Sequence, residues 1–240
     1  MNVAVVMGVG PDQGMGAQLC RRFASFGLHV FVAGRTQAKL DAVAENIRAD
    51  GGEATPVAAD ATDEAAVVTL FEHAAAQGRI ECAIYNAGNN TPGPIEGMSA
   101  EFFEQSWRIC CFGGFLFGRE AIKHMKPAGG GTILFTGASA SLRGRPNFGA
   151  FNSSKAALRT LAQAMAKEYG ADHIHVGHVV IDGAISGEKI RNRFPEYAEK
   201  LGEAGLVDIG AIVDAYEYLY RQPTGGWSFE VDVRTAIESW

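Results

Sequence analysis

Short runs of β-branched and apolar residues alternate along this chain with longer stretches of helical pattern, and that alternation limits the fold more than any other feature. Strand-like runs fall at 3–9, 29–33, 54–58, 80–85, 132–136 and 175–181, with helical stretches at 14–26, 36–49, 63–77 and 102–125 between them. Strands separated by helices of this length build βαβ units, whose parallel strands are covered on both faces. The expected fold is α/β, one doubly wound parallel sheet with helices on both faces. Connections are short, and no linker, repeat or low-complexity tract divides the 240 residues, so a single domain is expected over 1–240. Residues 183–206 are polar, irregular in pattern and follow a strand's carboxyl end. Open α/β sheets bind ligands there, so this stretch is expected to form a lid. The last segment, GGWSFEVDV, alternates strictly and reads as a closing strand, with Glu230 and Asp232 on one solvated face.

The first strand runs into GVGPDQGMG, with Gly10, Gly14 and Gly16 between a strand and a helix. A tight turn, close backbone approach and helix N-terminal amides are what a pyrophosphate requires. A purely structural turn is the plainer alternative. In this position the glycines mark a Rossmann-type nucleotide-binding sheet. The second strand ends in AGRT. A carboxylate there would hold the ribose 2′-hydroxyl of NAD. Gly34 instead leaves room for a 2′-phosphate, and Arg35, beside Thr36, supplies a guanidinium to pair with it. NADP is therefore expected over NAD, against the alternative of a solvated arginine. Asp12 opposes a phosphate in this loop unless its carboxylate turns outward.

Composition removes several classes of function. A net charge of -6 and the absence of any basic run argue against nucleic acid or an anionic membrane as partner. No apolar run approaches the roughly 20 residues of a membrane span, and MNVAVVMGVG lacks the basic start of a signal peptide. Cys20, Cys82, Cys110 and Cys111 show no metal-type spacing and read as reduced thiols of a cytoplasmic protein. In HIHVGH, His173 and His175 would share a strand face that His178 does not, so structural histidines are expected and no metal site.

With GxxxGxG at 10–16, YNAG at 85–88 and a helix carrying FNSSK at 151–155, the chain resembles the classical short-chain dehydrogenase/reductase family over essentially its whole length. The resemblance implies that Gly10, Gly14 and Gly16, with the Met15 amide, line the pyrophosphate. It places Asp60 at the adenine, and Asn86, Ala87 and Gly88 along the ribose. Lys155 would meet the nicotinamide ribose, and the Ile185 backbone the carboxamide. Asp60 and Asn86 could also be plain turn residues. Pairing of the fourth and fifth helices in the family implies a homodimer or homotetramer, and an apolar stripe through Phe112, Phe115 and Leu116 suits that burial.

The family's acid–base residues fall on unusual side chains. Its Tyr falls on Phe151, its Ser on Ala138 and its Asn on Cys110, and only Lys155 is retained. A slip of one residue would let Ser139 replace the serine. The enoyl-reductase spacing falls on Phe148, which also lacks a hydroxyl. The family's proline before glycine is Asp182. Phe has no exchangeable proton, and losing general acid catalysis typically costs about 10²–10⁴-fold. An oxyanion donor is worth a further ~10²–10³-fold, not additively. Ordinary ketone reduction by the family route is thus not expected.

Three readings follow. One is an NADP-linked oxidoreductase with a rewired site, where Lys155, Ser139, Asp182 or a water handles any proton and hydride passes to a small, apolar and activated substrate. Another is a silent NADP-binding sensor or subunit. The third, a scaffold without nucleotide, conflicts with the glycine turn, AGRT and Lys155. Asp182 has the plainer alternative of a turn carboxylate. In the lid, Arg191 or Arg193 could meet an acidic substrate.

Overall fold

The computed structural model describes residues 1–238, apart from the side chains of Lys189 and Arg193. Seven parallel strands form one sheet: β1 (Asn2–Met7), β2 (His29–Gly34), β3 (Glu53–Ala58), β4 (Arg79–Tyr85), β5 (Gly131–Thr136), β6 (Ile174–Asp182) and β9 (Glu230–Arg234), in the order β3-β2-β1-β4-β5-β6-β9. A small parallel pair, β7 (Ala184–Ile185) and β8 (Leu206–Val207), stands apart. The period of two assigns each face. Ala4 and Val6 enter the core on the first face, while Val3, Val5 and Met7 enter the core on the second.

Helices α1 (Met15–Ser25), α2 (Gln37–Ala49) and α9 (Ile209–Tyr220) cover the first face through Phe23, Leu40, Val43, Ile212 and Tyr216. Helices α3 (Glu64–Gln77), α5 (Gly113–Met125) and α6 (Gly149–Tyr169) cover the second through Phe71, Phe117 and Leu158. Each such side chain contributes roughly 1.5–3 kcal/mol by leaving water. Aspartates cap α3 and α9. Asp63 receives Ala65 N–H at 2.9 Å, and Asp208 receives Ala211 N–H at 2.9 Å.

Four boundaries differ from the sequence pattern, and one is the closing strand, which begins at Glu230 and not at residue 225. β1 stops at Met7 rather than at residue 9, because the Gly8 and Val9 amides both turn onto the Ala33 carbonyl, at 2.9 and 3.0 Å. Gly8 adopts φ +96, and a Cβ there would lie 2.5 Å from the Ala87 nitrogen. The stretch 102–125 is α4 (Ala100–Trp107) and α5 joined by one π turn, Arg108–Phe112. The stretch 183–206 is not irregular. It holds two short helices, α7 (Glu188–Arg193) and α8 (Pro195–Leu201), ahead of β8.

β1 lies between β2 and β4, so the direction of winding reverses there. The crevice of a doubly wound sheet opens at the carboxyl ends of these strands.

Candidate active site

The glycine turn is shaped from the backbone. Gly14 N–H closes it on the Pro11 carbonyl at 2.8 Å. A Cβ at Gly16 would lie 3.0 Å from the Gly8 carbonyl oxygen, so only glycine lets α1 start so close to β1. Around Gly10 there is open space. Gly14 caps α1 without a side-chain bond, and no acid lies in the first turn, so the positive end of the helix at Met15 and Gly16 meets no carboxylate of its own first turn. The Asp12 carboxylate turns away to Arg21 and to Asn46 Nδ2, the latter at 2.9 Å. This donor set fits a pyrophosphate.

Arg35 is exposed at the start of α2 and makes no hydrogen bond or ion pair among the described residues. Thr36 caps α2 without a side-chain bond. Asp60 accepts the Thr62 amide and hydroxyl through one oxygen, each at 2.8 Å. Burial pushes its carboxyl up. The Thr62 bonds and the charges of Arg35 and Arg108 outweigh this and hold it below the usual range. Asp60 therefore does shape its own turn, on the same rim as Arg35.

Asn86 ties the turn to the sheet. Its Nδ2 donates to the Gly8 carbonyl at 3.1 Å, and its Oδ1 accepts the Thr136 hydroxyl at 3.1 Å. Since that hydroxyl spends its hydrogen on Asn86, the Tyr216 hydroxyl donates to it, at 2.5 Å. Thr136 also receives Lys155. The Lys155 ammonium is buried and donates to the Thr136 carbonyl at 2.8 Å. Its other two N–H groups have no protein partner among the described residues. Burial holds it below the usual lysine range, offset in part by Cys110. A Cβ on Gly88 would lie 3.4 Å from Lys155 Nζ and 3.9 Å from Cys110 Sγ, so these three residues meet at one point. The Cys110 sulfur accepts the Asn89 amide at 3.5 Å.

Phe151 lies one turn before Lys155 on α6, its ring centroid 5.9 Å from Nζ. Ala138 leads into a short 3₁₀ turn, Ser139–Ser141. Ser139 is partly buried, and its hydroxyl has no partner among the described residues. Asp182 is buried and held by arginines. Both its oxygens accept from Arg143 Nη2, at 2.8 and 3.0 Å, and Arg234 stands at 3.9 Å. The Asn152 side chain holds the Arg143 carbonyl at 2.6 Å, so this ion pair is braced one residue from Phe151. Ile185 packs partly buried against the α1–α9 core. In the stretch 183–206, Arg191 pairs with Glu203 at 3.0 Å, and the Arg193 side chain lies outside the described residues.

One expectation is corrected. Glu230 is not solvated: it accepts Arg159 through both oxygens, at 2.6 and 2.8 Å, and His178 Nδ1 at 2.9 Å. The alternation fixes which face Glu230 takes, but the partners lie on α6 and β6. His175 stacks on Trp227 at 4.9 Å, and His173 sits in the left-handed region at φ 60, before β6 begins. Sequence reading missed Thr136, Tyr216, Arg143 and Tyr85. The last held a signal, since a tyrosine buried in an apolar strand needs a polar partner.

Among the described residues no helix is long and apolar enough to cross a membrane. The short chain dehydrogenase family model matches residues 2–194. The uncharacterized oxidoreductase YuxG of Bacillus subtilis is 36% identical over 92% of this chain, which spans only 32% of YuxG. The cis-4-hydroxycyclohexanecarboxylate dehydrogenase of Sinomonas cyclohexanicum is 31% identical over 98% of this chain and 87% of its own length. A short-chain dehydrogenase structure from Rhodopseudomonas palustris superposes with a TM-score of 0.82 at 35% identity, over 97% of both chains. With its parallel sheet, glycine turn and buried helix lysine, the chain belongs to the short-chain dehydrogenase family of oxidoreductases.

Proposed function

We propose that this chain is an NADP-linked oxidoreductase acting on a small, mostly apolar substrate, with its proton handled by Lys155 and not by a tyrosine. The observation that carries the reading is the buried Lys155 ammonium, with two N–H groups unspent, one helical turn from Phe151. Gly10, Gly14, Met15 and Gly16 hold the pyrophosphate, and the outward turn of Asp12 removes the like charge that would oppose it. Arg35 and Thr36 receive the 2′-phosphate and Asp60 lies at the adenine. Asn86, Ala87 and Gly88 would follow the ribose, one Lys155 N–H would bond a ribose hydroxyl, leaving its third for a water, and the Ile185 backbone would meet the carboxamide. The nicotinamide, when bound, supplies or accepts the hydride.

Burial lowers the pKa of Lys155 and so makes it a readier proton donor than an exposed lysine. It delivers that proton through a water in the space a tyrosine hydroxyl would take. Ser139 offers an unpaired hydroxyl to a developing oxyanion. Asp182 serves as the anchor of Arg143. Without a tyrosine hydroxyl at position 151, activated acceptors such as quinones, iminium ions or conjugated alkenes are favoured over plain ketones. The alicyclic hydroxy acid that names the Sinomonas relative suggests a carboxylate-bearing ring as a second trial substrate, with Arg143 near the rim to meet it. Exposed Phe103, Trp107 and Phe115 along α4 and α5 support a homodimer or homotetramer. The four unpaired cysteines support a cytoplasmic setting.

The test is a titration with NADPH and NADH, followed by nicotinamide fluorescence and calorimetry. Single-turnover oxidation of NADPH by an ortho-quinone and by 4-oxocyclohexanecarboxylate then follows. NADPH should bind more tightly, and Arg35→Glu should remove the preference. The double variant Phe151→Tyr, Ala138→Ser should gain at least about 10²-fold on the plain ketone. Failure of both nucleotides to bind would sink the reading.

A further inference from the structure

A second buried polar chain runs beside the Lys155 cluster, and nothing in the proposed chemistry uses it. It begins at Arg159 on α6, which gives Nε and Nη2 to the two oxygens of Glu230 on β9. Glu230 also takes His178 Nδ1 at 2.9 Å. His178 is fully buried in β6, its ring stacked on Phe229 at 6.1 Å. A Cβ on Gly137 would lie 2.4 Å from that ring, so the catalytic loop is packed directly against it. On its far side, His178 Nε2 stands 3.5 Å from Ser141 Oγ. Ser141 Oγ in turn receives the Ala138 amide at 3.2 Å.

The direction of every hydrogen in this chain follows from its ends. Glu230, held down to about 2 where the bonds from His178 and Arg159 outweigh burial, is an acceptor only. His178 Nδ1 therefore carries the proton, and Nε2 presents a lone pair. Ser141 gives its one hydrogen to Nε2 and takes the Ala138 amide on its oxygen. The result is a one-way relay of orientation from Arg159 to the peptide at Ala138–Ser139.

We infer that His178 is a positioning residue: acting through Ser141, it fixes the 138–141 turn and so aims the Ser139 hydroxyl into the cleft. The part of this that concerns hydride transfer rests on the oxidoreductase reading. The groups facing His178 are Glu230 from β9, Lys155 and Arg159 from α6, and Ser141 from the loop. Burial first, then the two cations, disfavour the imidazolium, while Glu230 favours it. The net direction is below the usual histidine range. A proton on Nε2 would reverse the relay, because Ser141 would then face a donor and turn its own hydrogen elsewhere. The direction of the relay is thus fixed while His178 is neutral and inverted when acid protonates it.

The experiment compares Ser141→Ala, His178→Phe and His178→Gln with the wild type. In the free protein, the ¹⁵N shifts of His178 should report the Nδ1–H tautomer. Amide hydrogen exchange at residues 138–141 should quicken about 10-fold or more in Ser141→Ala and His178→Phe, with the rest of β5 and β6 unchanged. His178→Gln, which can still donate and accept, should restore part of the protection. With NADPH and an ortho-quinone, the first two variants should lose about 10–100-fold in kcat with NADPH affinity kept. An Nε2–H tautomer, or unchanged exchange at 138–141, overturns the inference. So does exchange that quickens evenly across the sheet. If the wild type moves no hydride to any acceptor, the oxidoreductase reading falls by itself. The tautomer and the local exchange then decide the positioning role alone.

Discussion

At the scale of single residues, the site is set by what its side chains lack. Phe151 brings an apolar edge where the resemblance implies a hydroxyl, and Lys155 is left as a buried cation with one hydrogen bond. A buried charge with so few partners is a cost that function explains and folding does not. Its sign can be worked out. Burial disfavours the ammonium, so the folded value lies below the unfolded one of about 10.4. Between the two values the unfolded chain binds more protons, and wild-type stability rises with pH across that window. Lys155→Met removes the cost at every pH. The variant should melt higher at pH 7 by about 2–4 °C, as about 1 kcal/mol gives for a chain of this size. Its advantage should shrink as pH approaches 10, and it should bind NADPH more weakly. Thermal melts at pH 7, 8.5 and 10 check this, and an advantage constant with pH would contradict it.

At the scale of elements, periodic segments were legible and interruptions were not. The strands of the large sheet were placed, with β1 read two residues too long and β9 five residues too early, because their faces alternate between two apolar layers, as at Val3, Ala4, Val5 and Val6. The glycine turn was legible because close backbone approach admits few residue types. Helices α7 and α8 were not, since they have only 6 and 7 residues, too short to show a helical period. The π turn was hidden for another reason: its cause is Tyr85, on another strand. Gly113 N–H reaches back to Arg108 O, which leaves the Ile109 carbonyl for the Tyr85 hydroxyl at 2.5 Å. That extra residue is what turns Cys110 toward Gly88 and Lys155. A Cβ at Gly113 would meet the Tyr85 hydroxyl at 2.3 Å and the Ala61 carbonyl at 2.8 Å. Gly113→Ala should therefore cost about 1–3 kcal/mol in urea unfolding. It should also open Cys110, which is buried in the wild type, to a thiol reagent. A variant of wild-type stability with Cys110 still closed would show that the turn does not depend on this approach.

At the scale of the whole molecule, the problem is how an edge strand near the chain's end is held to a site built by distant segments. β9 pairs only with β6, and an edge strand of five residues has little pairing energy of its own. Glu230 supplies the missing tie. It joins β9 to α6 through Arg159, 71 residues away, and to β6 through His178, 52 residues away. Neither separation leaves a local signal, which is why the alternation of SFEVDV suggested a solvated carboxylate. The bidentate bond and the imidazole hold the folded carboxyl at about 2, against an unfolded value near 4.3. A depressed carboxyl contributes stability in full above the unfolded value, and loses it as pH falls through the folded one. Glu230→Gln should thus lower stability at pH 7 by about 1–3 kcal/mol, the range for hydrogen bonds to charged groups. The gap between wild type and variant should hold from pH 7 to 5 and then narrow from about pH 4 toward pH 2. Both proteins should also weaken below about pH 6.5, because the unfolded chain takes up a proton that buried His178 resists. Urea midpoints at pH 7, 5 and 3 separate the two effects. A gap that stays constant down to pH 3 would mean that the tie acts through shape and not through charge.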